Sequence, residues 1–163
     1  MESIYLDTLA FVKRFSKERA SEVADMLFTV CNAGEVKILI SSWVINESIA
    51  AIDRKSRRRE ISLEERNKCI STLIEQTDLL AKNGSLAIIP VKQDTVDGSL
   101  EFVISHHLSA DDALHLFSAV ISSCKIFVAA DKLLVEVAKE ANLQGFNIEK
   151  YSEQQSLLRI LNL

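Results

Sequence analysis

Lys125-Ile126-Phe127-Val128-Ala129-Ala130-Asp131-Lys132-Leu133 is a run of apolar residues that stops on an acid and leads into a helical pattern. A continuous apolar run of this length suits a strand buried on both faces, as in a parallel sheet covered by helices. The acid then falls at the strand's carboxyl end, where open parallel sheets bind their ligands. Ser3-Ile4-Tyr5-Leu6-Asp7-Thr8 repeats the arrangement at the start of the chain.

Working outward from these two segments, short apolar runs alternate with longer helical patterns, the signature of βα units. Strands are expected at Ile4–Leu6, Val36–Ser41, Leu86–Val91, Lys125–Ala130 and Phe146–Tyr151. Between them the punctuation predicts helices. Glu18–Ala33 stops at Gly34, and Trp43–Asp53 follows the second strand. Ser62-Leu63-Glu64-Glu65 has capping-box spacing and opens a helix to about Lys82, ended by Asn83-Gly84. Asp94 is expected to cap a helix to His106. Ser109-Ala110-Asp111-Asp112 opens Ala110–Ser122, and a helix from Lys132 to about Asn142 stops near Gly145. The leucine-rich tail, Gln155–Leu163, suits a short docking helix or part of a dimer contact.

The chain has 163 residues, 48% hydrophobic and 26% charged, with one Pro and four Gly. These values fit one mostly helical globular domain and exclude a disordered chain. No run approaches the ~20 apolar residues of a membrane span. The N-terminus enters a strand directly, so no signal peptide is expected. Cys31, Cys69 and Cys124 are odd in number and widely spaced, which argues against a disulfide framework or zinc site and for a cytoplasmic protein.

The functional signal is a set of four separated carboxylates: Asp7, Glu47, Asp112 and Asp131. Asp7 and Asp131 follow strands, and Glu47 lies about one turn into the helix after the second strand. Asp112 opens the helix leading to the fourth strand, so it lies at one rim of the sheet. Carboxylates sharing a site repel and raise each other's pKa, a cost that protons or a divalent cation relieve. All-oxygen ligation suits Mg²⁺ or Mn²⁺. Such an ion serves water-mediated phosphodiester cleavage. Each acid also has a simpler account: Asp7 and Asp131 as helix N-caps, Asp112 as the third-position acid of a capping box, Glu47 as a solvated helix residue.

Net charge is −4, yet without the four site acids the remainder has 19 basic and 19 acidic residues. Five of the six residues Arg54-Lys55-Ser56-Arg57-Arg58-Arg59 are basic. Such a run can hold RNA phosphates, clamp a protein partner or simply solvate a surface. His106 and His107 end a helix, where the dipole favours them. His115, three residues after Asp112, is better suited to packing or to bonding an acid than to ligating metal. Trp43 is expected as a core anchor. Met26, Leu27, Val30, Leu73, Leu79 and Leu80 are expected in the core or at a dimer interface.

Tyr5-Leu6-Asp7-Thr8, Trp43-Val44-Ile45-Asn46-Glu47, Asp112-Ala113-Leu114-His115-Leu116 and Phe127-Val128-Ala129-Ala130-Asp131-Lys132-Leu133 resemble the PIN-domain nucleases. Their order and separations are similar to those of the small, VapC-like members, and the resemblance spans nearly the whole chain. It implies a three-layer α/β/α sandwich around a central, mostly parallel five-stranded sheet, in a single domain. It further implies an endoribonuclease with a Mg²⁺ or Mn²⁺ site formed by Asp7, Glu47, Asp112 and Asp131. A toxin–antitoxin setting, with a protein antitoxin, and a homodimer are implied as well. Asp112 matches better than Asp111, which is expected on a different helix face. Thr8, Arg54, Arg57, Arg58 and Arg59 are candidate substrate contacts. Leu9 and Ala129 stand where the family often carries hydroxyls, and their loss is expected to weaken metal affinity or rate.

Other classes fit less well. A haloacid-dehalogenase-type phosphatase needs a second Asp at position 9, which is Leu9. A receiver domain needs a phosphoacceptor Asp after a middle strand, and the middle strand runs into Pro90-Val91-Lys92. A PIN-like module that binds RNA or protein with little cleavage, and a metal-dependent DNA nuclease, stay open as alternatives.

Overall fold

The computed structural model describes residues 2–163. The strands are β1 (Glu2–Leu6), β2 (Val36–Ser41), β3 (Leu86–Ile89), β4 (Ile126–Ala129) and β5 (Gln144–Asn147). The helices are α1 (Thr8–Val12), α2 (Ser21–Asn32), α3 (Ser42–Arg57), α4 (Leu63–Lys82), α5 (Gln93–His106), α6 (Ala110–Ile121), α7 (Lys132–Glu140) and α8 (Tyr151–Ile160). The strands form one sheet in the order β3-β2-β1-β4-β5. Every pairing is parallel, with Ile4 beside both Ile38 and Ile126, and Leu6 beside Val128.

Alternation along each strand sends side chains to two separate cores. Ile4, Leu6, Ile38, Ile40, Ile126 and Val128 face one way, against Phe11, Leu27, Phe28, Val44, Ile52, Leu73 and Leu157 from α1–α4 and α8. Tyr5, Leu39, Phe127 and Ala129 face the other, against Ala113, Leu116, Leu134 and Val135 from α6 and α7. Full burial of a side chain such as Leu27 or Phe127 contributes roughly 1.5–3 kcal/mol. The architecture is thus the expected α/β/α sandwich, with a sheet that is all-parallel.

The ends of several elements differ from expectation. The five-residue α1 forms between Asp7 and Glu18, where the sequence pattern predicts no helix. The first long helix starts later than expected, at Ser21. α3, by contrast, runs out past Asp53 into the basic stretch as its sequence leads one to expect, so Arg54, Lys55 and Arg57 occupy its last turn, where cations complement the helix dipole. α5 begins one residue before Asp94, which sits in its first turn rather than at the cap. β3 stops at Ile89, and the tail helix starts at Tyr151 instead of Gln155.

The fifth strand starts before the expected Phe146 and stops at Asn147, short of the expected Tyr151, and Gly145 is inside it. α7 ends at Glu140, close to the expected Asn142, and it is Asn142 rather than Gly145 that takes a left-handed φ, of 64°, after it. Gly145 answers a different need: a Cβ there would sit 2.7 Å from the Val135 carbonyl oxygen of α7. By contrast, Gly34 and Gly84 close α2 and α4 with φ of 76° and 82°, in keeping with their positions in the sequence.

Trp43 is 42% exposed and Leu79 59% exposed, so neither anchors the core. α8 docks on its own sheet through Leu157 and Leu161. No helix among the described residues is long and apolar enough to cross a membrane.

Candidate active site

The strand order reverses at β1. From there the chain builds outward through β2 and β3 on one side, then returns to place β4 on the other. A crevice opens at such a switch point, outside the carboxyl ends of the two central strands. Asp7 and Asp131 lie just beyond β1 and β4. The Asp7 N–H donates to the Val128 carbonyl at 3.0 Å, carrying the pairing one residue past β1. α6 leads down to the start of β4, so its first turn, with Asp112, stands at the same rim.

A cavity of about 340 Å³ occupies this crevice. All four carboxylates expected from sequence, Asp7, Glu47, Asp112 and Asp131, line it. Thr8 and Arg54 line it too. So does Asp111, which corrects its expected place on another face of the helix. Ser109, the N-cap of α6, bonds both carboxylates and so keeps the two acids together at the cavity mouth. Arg57, Arg58 and Arg59 are not among its walls. Arg57 turns back onto Asp53, at 3.0 Å, and Arg59 borders a separate surface hollow at the α3–α4 turn.

Two of the acids do double duty. Asp7 Oδ1 accepts from the Ala10 N–H at 2.7 Å, capping α1, and Asp131 Oδ1 accepts from the Leu134 N–H at 2.8 Å, capping α7. Asp7 is 3% exposed. Burial pushes its carboxyl up to about 7, with Asp112 adding repulsion and the Ala10 N–H and His115 opposing it. Burial also raises Asp112, helped by repulsion from Asp111 and Asp131 and opposed by the Ser109 hydroxyl. Ser109 donates to Asp112 Oδ2 at 2.8 Å and also bonds Asp111, whose carboxyl it holds below the ordinary range.

Glu47 is mounted differently, on the side of α3. Its Oε2 accepts from Thr8 Oγ1 at 2.5 Å and lies 2.7 Å from His115 Nε2. The Thr8 hydroxyl, a candidate substrate contact from sequence, is therefore committed to Glu47. His115 is 2% exposed. Its use in bonding an acid agrees with its reading as a support rather than a ligand. His106 bonds Glu140 at 3.2 Å, well apart from the site, and His107 takes the left-handed C-cap position of α5.

Chemically the cavity offers hard oxygen donors at graded depth, with one cation, Arg54, at its wall. Asp7 is the deepest of them, Glu47 and Asp112 are partly covered, and Asp111 and Asp131 are exposed. Among the described residues no three His, Cys, Asp or Glu side chains form a ready-made metal cage. The donor set fits Mg²⁺ or Mn²⁺, which are commonly held by one or two carboxylates with several waters.

No family model matches this chain, and no curated protein matches it. Among solved structures it is similar to PAE2754 from Pyrobaculum aerophilum, with a TM-score of 0.66 and 14% sequence identity. That likeness covers 99% of this chain and 90% of the other. At this identity it concerns the fold, an α/β sandwich of the same layout.

Proposed function

We propose that this protein is a divalent-metal-dependent endoribonuclease of the PIN-domain, VapC-like kind, hydrolysing RNA phosphodiester bonds in the acidic cavity. The observation that carries the reading is convergence. Four acids from four separate segments, each with an ordinary structural role available to it, border one cavity at the switch point. Independent caps and solvated residues have no reason to meet there.

Asp7, Glu47, Asp112 and Asp131 would hold Mg²⁺ or Mn²⁺. When bound, such an ion lowers the pKa of coordinated water and stabilises charge on the phosphate oxygens. The chain's own residues supply the rest. Asp7 and Asp131 present carboxylates fixed by their caps, and Arg54 offers a positive charge to an RNA phosphate at the cavity wall. Burial of Asp7 beside Asp112 makes the cation-free site electrostatically uncomfortable, which favours ion uptake.

The remaining parts of the reading follow the resemblance: the toxin of a toxin–antitoxin pair, a protein antitoxin as partner, a homodimer, and a cytoplasmic setting. The three free cysteines accord with a reducing compartment. The test is cleavage of a mixed-sequence RNA with Mg²⁺ or Mn²⁺ against chelator, for the wild type and for Asp7→Asn and Asp131→Asn. Cleavage that needs the metal and disappears in both variants is expected. Undiminished cleavage by either variant sinks the assignment, and cleavage of DNA alone would redirect it to a DNA nuclease.

A further inference from the structure

Glu47 is the one site acid on the flank of a helix, away from any free backbone N–H, so its orientation must come from side chains. Both of its partners meet the same atom. Thr8 Oγ1 and His115 Nε2 approach Oε2 at 2.5 and 2.7 Å. Oε1 receives no side-chain donor among the described residues.

Behind His115 the hydrogen bonds run in one direction. The Ser41 N–H, at the end of β2, donates to the Tyr5 hydroxyl at 3.1 Å. That leaves the Tyr5 hydrogen free for His115 Nδ1, at 3.3 Å, with Ser41 Oγ a second neighbour at 3.4 Å. The Nε2 that faces the Glu47 carboxylate at 2.7 Å has to carry a proton to bond it, and a neutral ring then leaves Nδ1 to accept from Tyr5. The Tyr5 ring is itself pinned, stacked on Phe127 at 5.5 Å and 6°. Backbone, Tyr5, His115 and Glu47 thus form a chain that fixes both the tautomer and the ring.

We infer that His115 is a positioning residue, set by Tyr5 and Ser41, which with Thr8 holds Glu47 by Oε2 and leaves Oε1 as the donor to the metal ion. This rests on the metal-dependent reading of the cavity. Partners of this kind typically affect metal affinity 10–100-fold. A histidine kept only for packing would tolerate an apolar replacement of similar size without any change in ion binding.

The experiment is calorimetric titration of the full chain with Mn²⁺, with the melting temperature in chelator recorded for each variant. His115→Leu is expected to bind Mn²⁺ about 10–100-fold more weakly than the wild type. His115→Gln, whose amide Nε2 can still donate to Glu47, is expected to return to within about threefold. Tyr5→Phe keeps the stacked ring and removes only the hydroxyl. It is expected to lose about three- to tenfold, and it carries the test should His115→Leu not fold. Unchanged affinity in His115→Leu or in Tyr5→Phe overturns the inference, as does a Gln variant as weak as the Leu one. A flat titration of the wild type overturns the metal reading itself and the clamp with it, a failure distinct from the others because it precedes any substitution.

Discussion

Asp7→Asn should make the metal-free protein more stable at alkaline pH. Asp7 is 3% exposed, and its carboxyl is pushed from 3.8 to about 7, mainly by burial. The folded state therefore binds the proton more tightly than the unfolded chain does. Below pH ~4 both states are protonated and nothing is lost. Between there and pH ~7 the unfolded chain ionises first, so stability falls as pH rises. Above pH ~7 the full penalty applies, about 4 kcal/mol at roughly 1.4 kcal/mol per pH unit. Asn keeps the cap on the Ala10 N–H, since Asn and Asp are equivalent there, and removes the charge. For a chain of this size 1 kcal/mol shifts the melting temperature by about 2–4 °C. The variant should melt about 8–15 °C above the wild type at pH 8 in chelator, and the gap should close by about pH 4. Mn²⁺ should then raise the wild type and leave the variant where it is. Differential scanning calorimetry at several pH values decides the matter. A variant no more stable than wild type at alkaline pH, or a gain independent of pH, would refute the reasoning.

Arg54→Ala should weaken binding of single-stranded RNA and flatten its salt dependence by about 0.7 in log–log slope for each phosphate the arginine neutralises. The combined Arg57→Ala, Arg58→Ala, Arg59→Ala variant should change that slope less, because only Arg54 lines the cavity. A larger effect from the triple variant would move the RNA path to the α3–α4 turn. Gly145→Ala should destabilise the fold by about 1–3 kcal/mol. The new methyl meets the Val135 carbonyl at 2.7 Å, and a backbone atom cannot swing aside. Denaturant unfolding with an unchanged midpoint would show that β5 and α7 separate more easily than this packing implies.

The layers are legible in the sequence because the central strands are unambiguous. Ile4-Tyr5-Leu6 and Ile126-Phe127-Val128-Ala129 are apolar at every position, as strands of a sheet covered on both faces require, and are too short for a buried helix. β5 is harder to place because Gln144-Gly145-Phe146-Asn147 is an edge strand with one large apolar residue, and the apolar signal at Phe146–Ile148 lies further on. α1 gives no signal because five residues are too few to display a helical period. Within the site, Asp7 and Asp131 can be read from their strands. Asp111 cannot, since cap spacing and resemblance both favour its neighbour Asp112, and only the structure brings both to the cavity. The basic run misleads by appearing as a unit: Arg57 lies a turn further from the cavity and pairs with Asp53, while Arg58 caps α3 and Arg59, at a left-handed φ of 61°, lies beyond it.

The difference in mounting explains the difference in legibility. At a strand–helix junction a short acid meets a free N–H three residues on, and the cap consumes one oxygen. Asp7 and Asp131 each cap through Oδ1, so capping and a role at the cavity are compatible uses of the same side chain rather than rival explanations. A Glu on a helix flank has no such local donor. Glu47 is oriented by Thr8 and His115, residues 39 and 68 positions away in sequence, and no local pattern announces those bonds. Of the acids that line the cavity, Glu47 is therefore the one whose function is most exposed to changes elsewhere in the chain.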